Sequence, residues 1–243
     1  MAPEGPRLLL IDLDDTVFDH SLTCRAVLAE LRRSHRFLRA RSLDEVTTEY
    51  ARLLWDTHAD VALGHRDVED ARAERFLRLA AWCGEEIDGE TAAAISRKYR
   101  ARYLELRRPV DGAPDFLRSL RGSMRISVVT NNTLSEQTDK LAFLGLRNVV
   151  DDLVTSEEVG AQKPDPAIFR AALRRVGATT AEAVMIGDSW TSDIEGARDA
   201  GVRAIWFNRF GLPQPSRATV PEFASFRSTA KIRRLLRGSP LAD

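Results

Sequence analysis

The feature that most constrains the fold is an interruption in an otherwise regular alternation. Short apolar runs at residues 8–11, 126–130, 149–154, 183–186 and 202–207 have the length and composition of buried strands. Between the later runs lie helical patterns at 135–144, 166–176 and 192–200. Strand–helix alternation of this kind implies a parallel sheet with helices on both faces. Punctuation supports it: Thr133 and Glu136 have capping-box spacing, Asp165-Pro166 supplies an N-cap and first-turn proline, and Gly201 stops the last helix. Between the first two runs the pattern changes, and residues 21 to 107 read as amphipathic helices at 23–39, 43–58, 67–83 and 90–106. Arg107-Arg108-Pro109, followed by Asp111-Gly112-Ala113-Pro114, reads as a hinge back. The expected architecture is an α/β, Rossmann-like parallel sheet core (1–19 and 109–243) carrying an inserted all-helical domain (20–108).

Composition removes several classes of protein. The 243 residues balance 36 Lys+Arg against 36 Asp+Glu, and 44% are hydrophobic. That is a globular composition outside the disordered range. Neutral charge argues against a nucleic acid polymer or an anionic membrane as partner, and no apolar run approaches the ~20 residues of a transmembrane helix. The N-terminal segment lacks a signal peptide's cationic start. Two cysteines, Cys24 and Cys83, are too few for a disulfide framework, so a reducing, cytoplasmic setting is expected. The tail from Gly211 reads as Pro-rich and then as a basic, surface-packed helix at 228–237. Only four basic residues are lysine (Lys98, Lys140, Lys163, Lys231), against 32 arginines. A lysine inside a motif is therefore less easily ascribed to drift.

In an open parallel sheet, ligands bind beyond the carboxyl ends of the strands, where the topology switches. The first strand ends in Asp12-Leu13-Asp14-Asp15-Thr16 and the second in Thr130-Asn131-Asn132. Lys163-Pro164 follows the third, and the fourth ends in Gly187-Asp188-Ser189 with Asp193 beyond. Taken alone, an aspartate at a strand end is a turn former or a helix cap. Taken together, these residues suggest phosphoryl chemistry. Asp12 and Asp188 could share Mg²⁺, which suits one or two carboxylates plus substrate phosphate. Asp12 would attack phosphorus to form an aspartyl-phosphate. Asp14 would protonate the leaving oxygen and later deprotonate water. Thr130, backbone amides and Lys163 would hold the phosphoryl oxygens.

These elements in this order resemble the haloacid dehalogenase-like hydrolase superfamily. The resemblance is carried by Asp12-Leu13-Asp14-Asp15-Thr16, Val128-Val129-Thr130-Asn131, Lys163-Pro164-Asp165-Pro166, and Gly187-Asp188 with Asp193. The insertion after the first motif matches the helical cap of the C1 class. The resemblance implies Asp12 as nucleophile and metal ligand. It implies Asp14 as acid/base and, through its carbonyl, metal ligand, and Asp188 as metal ligand. Asp193 would support the metal or Lys163, and Thr16, Thr130, Asn131 and Lys163 would bind substrate. Many members have Gly where this chain has Asp15, a tolerable departure because Asp adopts unusual backbone angles readily.

Within the superfamily, Trp55, the stretch 64–76 and Ser156-Glu157-Glu158-Val159-Gly160-Ala161-Gln162 look similar to pyrimidine 5'-nucleotidase and N-acylneuraminate-9-phosphatase members. Arg75 is the cap residue expected to face substrate, against the alternative of an exposed helical Arg in an Arg-rich chain. Trp190 could wall the site or pack. His20, His35, His58 and His65 lack metal-ligand spacing. The leading expectation is a Mg²⁺-dependent phosphomonoesterase, monomeric or homodimeric, acting on a small phosphate monoester such as a nucleotide or sugar phosphate. A phosphomutase, a haloacid dehalogenase and a catalytically silent regulator of the same fold are the alternatives. Dehalogenation needs neither metal nor leaving-group acid, so Asp14 and Asp188 argue against it.

Overall fold

The apolar tetrapeptide Leu8–Ile11 forms β1, and every one of its side chains is buried. Four residues without a polar side chain suit a strand covered on both faces. In the computed structural model, which describes residues 5–215 and 219–238, β1 lies at the centre of a six-stranded sheet. Its companions are β2 (Arg125–Thr130), β3 (Asp152–Thr155), β4 (Ala183–Gly187), β5 (Arg203–Phe207) and β6 (Glu222–Phe223). The order is β3-β2-β1-β4-β5-β6 and all pairings are parallel. Ile11 pairs with Val128 of β2 on one side and Ile186 of β4 on the other. The chain therefore builds outward from β1 to β3, returns, and builds outward again through β4. The switch point falls at the carboxyl end of β1.

Among the described residues, ten α-helices accompany the strands: α1 (His20–Ser34), α2 (Leu43–Ala62), α3 (Val68–Trp82), α4 (Gly89–Leu106), α5 (Ala113–Leu120), α6 (Leu134–Phe143), α7 (Ser156–Val159), α8 (Pro166–Val176), α9 (Gly196–Asp199) and α10 (Thr229–Leu236). One sheet face, with Leu8, Leu10, Val129, Met185 and Trp206, packs against Ile168, Phe169, Ala172 and Leu173 of α8. On the other face, Phe207 belongs to an aromatic cluster with Phe223, Phe226 and Phe116 of α5. Alternation along β5 sends Trp206 and Phe207 to opposite faces.

The chain divides into two compact units, Met1–Phe18 with Pro109–Asp243, and Asp19–Arg108. The expected core range includes residues 1–4, 216–218 and 239–243, which lie outside the described residues. The second unit contains α1–α4 and a short 3₁₀ turn at Phe37–Arg39, with no strand among its residues. Its interior is aromatic: Tyr50, Phe76, Tyr99 and Tyr103 stack in sequence with ring centroids 5.1–6.1 Å apart. Each long helix opens on a side-chain cap, Asp19, Ser42, Asp67 or Asp88. Such caps contribute about 1 kcal/mol each. No helix among the described residues is long and apolar enough to cross a membrane.

Four details differ from the sequence expectation. The run 149–154 is a strand only from Asp152, because Val149 and Val150 donate to Leu146 O in a turn between α6 and β3. Thr133 makes no side-chain cap to α6. Instead Asn132 Oδ1 accepts from Thr133 N, and Glu157 Oε2 accepts from Leu134 N. The helix expected at 192–200 begins as a π-helical turn, Trp190–Glu195, before continuing as α9. The helix expected at 23–39 breaks after Ser34 and resumes as the 3₁₀ turn. By contrast, Asp165 caps α8 by accepting from Ala167 N at 2.8 Å.

Candidate active site

The turn after β1 fixes the first group. Val17 N and Phe18 N both donate to Leu13 O, at 2.9 and 2.8 Å, and Asp15 N donates to Phe18 O. Closing this turn requires a left-handed residue at Asp15, with φ of 63°, a conformation in which Asp is enriched among non-glycine residues. Arg209, in the loop after β5, donates to Asp15 Oδ1 at 2.9 Å. The departure from glycine at this position thus carries an ion pair that glycine could not make.

The turn leaves Asp12, only 6% exposed, at the strand end with its N–H bonded to Ile186 O. Lys163 Nζ donates to Asp12 Oδ1 at 2.6 Å, to Asp193 Oδ1 at 2.6 Å and to Val129 O at 2.8 Å. Those three acceptors match the three protons of an ammonium. Asn131 fixes the lysine's backbone, its Nδ2 donating to Lys163 O and its Oδ1 accepting from Lys163 N. Asp193 sits close because position 187 is glycine: a Cβ there would meet the Asp193 carboxyl at 2.3 Å. Its second oxygen accepts from Ser189 N.

Asp188 completes the cluster. Thr16 Oγ1 donates to Asp188 Oδ1 at 3.0 Å and accepts from Asp188 N at 3.1 Å, spanning 172 residues of sequence. Trp206 Nε1 holds the Asp188 carbonyl at 2.8 Å. Carboxylate oxygens of Asp12, Asp188 and Asp193 all lie within 4.8 Å of one another. No other such group of potential metal ligands occurs among the described residues.

Electrostatics follow from three carboxylates facing one ammonium. Burial pushes the Asp12 carboxyl up to about 7, against the pull of Lys163 and with added repulsion from Asp193 and Asp14. Burial, then the charges of Asp12 and Asp193, holds Asp188 well above the carboxylate range, and the Thr16 hydrogen bond opposes this. For Lys163, burial alone would lower the value. Asp12 and Asp193 outweigh it and keep the ammonium above the ordinary lysine range. The excess negative charge and the oxygen donors suit a hard divalent cation. Asp193 commits both its oxygens to Lys163 and Ser189, so Asp12 and Asp188 are the better-placed donors.

Asp14 faces a different set of groups. Lys140 Nζ donates to Oδ1 at 2.6 Å and Oδ2 at 2.7 Å, while Gln137 Nε2 donates to Oδ2 at 2.9 Å. Gln137 Nε2 also reaches Thr130 Oγ1 at 3.1 Å. Neither Lys140 nor Gln137 stands out in the sequence. The usable signal is that lysine is scarce and that both follow Thr130-Asn131 at helical spacing.

The remaining expectations are placed as follows. Arg75 lies in the helical unit, 5% exposed, with Nε donating to Ala71 O and a hydrogen bond to Tyr50. Trp55 is exposed. Trp190 packs edge-on against Trp206, 5.0 Å between centroids, and donates to Glu195. His20 hydrogen-bonds the Tyr103 hydroxyl at 2.7 Å.

Fold and site together place a carboxylate cluster at the switch point of a parallel sheet. The chain belongs to the haloacid dehalogenase-like hydrolases, whose family model matches residues 6–201. It is 33% identical to a phosphoserine phosphatase of Thermus thermophilus, over 88% of this chain and 93% of that one. It is 28% identical to the pyrimidine 5'-nucleotidase PynA of Streptococcus pneumoniae, over 87% and 88%. Among solved structures, the HAD-hydrolase YfnB of Bacillus subtilis, crystallised with magnesium, superposes with a TM-score of 0.74 at 26% identity, covering 94% of this chain and 98% of that one.

Proposed function

We propose that the protein is a Mg²⁺-dependent phosphomonoesterase that hydrolyses a small phosphorylated metabolite through an aspartyl-phosphate on Asp12. The observation that carries this reading is the division of labour among the Asp12 oxygens. Lys163 holds Oδ1, and among the described residues Oδ2 accepts no hydrogen bond, so it is the oxygen available for attack. Asp12 and Asp188 would hold the cation, with Asp193 holding Lys163 in place and the Asp14 carbonyl completing the set. When bound, the cation neutralises carboxylate charge and polarises the phosphoryl group.

This chain's own residues would do the rest. Thr130 Oγ1 accepts from Gln137, so its own proton is free to donate to a phosphoryl oxygen. Lys163 offsets charge on the nucleophile and the transferring group. Thr16 orients Asp188, and Asn131 anchors Lys163. Asp14 would give a proton to the departing oxygen and take one from the water that opens the acyl-phosphate. The phosphatase and nucleotidase names of the relatives support a phosphate monoester as substrate. The test is phosphate release from p-nitrophenyl phosphate with and without Mg²⁺, followed by phosphoserine, pyrimidine nucleotides and sugar phosphates. Phosphate release independent of divalent cations would defeat the reading, and halide release from a 2-haloacid would replace it.

A further inference from the structure

The most economical explanation of a lysine on the inner face of α6 lies in what it touches. Lys140 is 4% exposed and its ammonium sits 5.2 Å from the Phe18 ring centroid. Burying an ammonium costs several kcal/mol, and an apolar side chain of similar volume commonly stabilises a core as well or better. What Lys140 contributes is therefore geometric. It grips both oxygens of the Asp14 carboxylate at 2.6 and 2.7 Å. Gln137, three residues earlier and on the same helix face, is fully buried and bonds the same carboxylate at 2.9 Å. Asn132, at the start of the segment, adds a longer contact of 3.4 Å. The Gln137 amide also reaches Thr130 Oγ1, tying two proposed site residues through one side chain. The Asp14 side chain nevertheless keeps 26% of its exposure, so it stays reachable from solvent.

We propose that Lys140 and Gln137 are positioning residues, a two-point clamp on one face of α6 that sets the orientation of the Asp14 carboxylate and of the Thr130 hydroxyl. The inference rests on the phosphomonoesterase reading, in which Asp14 is the acid/base group. The clamp holds Asp14 in a single side-chain orientation. Removing it lets the carboxylate sample others, and near-attack geometry is lost without any change in what binds substrate. Its effect should therefore fall on kcat rather than KM and vanish when Asp14 can no longer transfer protons.

The test is a double-mutant cycle on the full chain with Mg²⁺, using glycerol 2-phosphate and p-nitrophenyl phosphate as probes. Lys140→Met should lower kcat for glycerol 2-phosphate about 10- to 100-fold, with KM moving less than about threefold. The aryl ester, whose leaving group needs little protonation, should lose less. In an Asp14→Asn background, Lys140→Met should change neither rate by more than about twofold, because residues that act as a unit are non-additive. Lys140→Gln, which keeps a donor, repeats the cycle should the methionine variant fail to fold, and Gln137→Leu tests the second point of the clamp. A Lys140→Met loss that persists undiminished in the Asp14→Asn background makes the lysine merely structural and overturns the clamp. So does a Lys140→Met enzyme that keeps the unsubstituted kcat for glycerol 2-phosphate while Asp14→Asn has lost it. If Asp14→Asn itself turns over glycerol 2-phosphate normally, the acid/base reading fails first.

Discussion

The α/β unit buries a set of ions that has no counterpart among the described residues of the helical unit. In the α/β unit, exposed pairs such as Arg118–Asp115 and Arg227–Asp111 accompany a buried set: Lys163 is shared between Asp12 and Asp193, and Lys140 is closed on Asp14. In the helical unit, the ion pairs reach solvent, as in the chain Glu49–Arg52–Asp56–Arg78–Glu74–Arg66 along α2, α3 and the loop between them. Water and salt screen the second kind, and such pairs contribute little. The first kind stays strong because solvent is excluded, and each partner depends on the other. Buried ion pairs are a poor way to stabilise a fold. Stability alone is therefore a poor account of the buried pairs that gather beyond the end of β1.

The sharpest way to break this contrast is Asp12→Asn. It should reduce Mg²⁺-dependent turnover by at least about a thousandfold while circular dichroism stays native, because an amide cannot attack phosphorus usefully. Next in size is Lys163→Met. It strands three carboxylates within 4.8 Å of one another and should cost about 3–5 kcal/mol in urea unfolding. Arg52→Ala in the helical unit, although it removes two ion pairs, should leave the melting temperature unmoved. A comparable loss from both would erase the distinction between the units.

Proton linkage gives a third comparison. The Asp12 carboxyl is raised from 3.8 to about 7 by burial, so between those values the unfolded chain binds fewer protons than the folded one. Its contribution is full below pH 4 and is lost as pH rises through 7. With chelator present, melting temperature should fall across that window, and Asp12→Asn should flatten the fall. Arg75→Ala comes next. Arg75 is buried beside Tyr50, whose phenol is pushed up by burial and pulled back by the Arg75 charge. Losing it should cost about 1–3 kcal/mol. A residue that also contacts substrate would slow a nucleotide more than p-nitrophenyl phosphate; equal slowing makes it structural.

The smallest effect belongs to His35, whose Nε2 is buried without a partner among the described residues. Burial, then Lys98, lowers its value below 6.5. Here the unfolded chain binds more protons just below pH 6.5, so this contribution is present above that pH and lost as pH falls. His35→Gln should flatten a shallow acid-side decline in melting temperature. Asp12 and His35 thus respond to pH with opposite sign.

What was legible in the sequence follows the same division. Strand ends could be read because β1, β2, β4 and β5 are short, continuous apolar runs, and carboxylates at such ends have few structural reasons to recur together. Asp12, Thr130, Lys163, Asp188 and Asp193 are singled out that way, and the structure brings Asp12, Lys163, Asp188 and Asp193 together. Gln137 and Lys140 are not singled out, because an i, i+3 polar pair on an amphipathic helix looks the same whether it faces solvent or a buried carboxylate. Arg209 was hidden by the abundance of arginine. The π-helical turn at Trp190–Glu195 has no composition of its own to read, although it sets Asp193 directly against Gly187. In the helical unit, periodicity located all four helices, but it could not say that Arg75 would be buried.

The central position of β1 has a consequence for biosynthesis. Its edges are completed by β2 and β4, whose last residues lie roughly 120 and 175 positions further along the chain. At about 5–20 residues per second, β4 leaves the ribosome roughly 10–35 s after β1. During that interval the helical unit can fold on local contacts, while an apolar tetrapeptide with two open hydrogen-bonding edges waits for partners. The strand that leads into Asp12 is therefore the first of the six made and the one that waits longest for its second neighbour, and during that wait it gains from shielding against other chains.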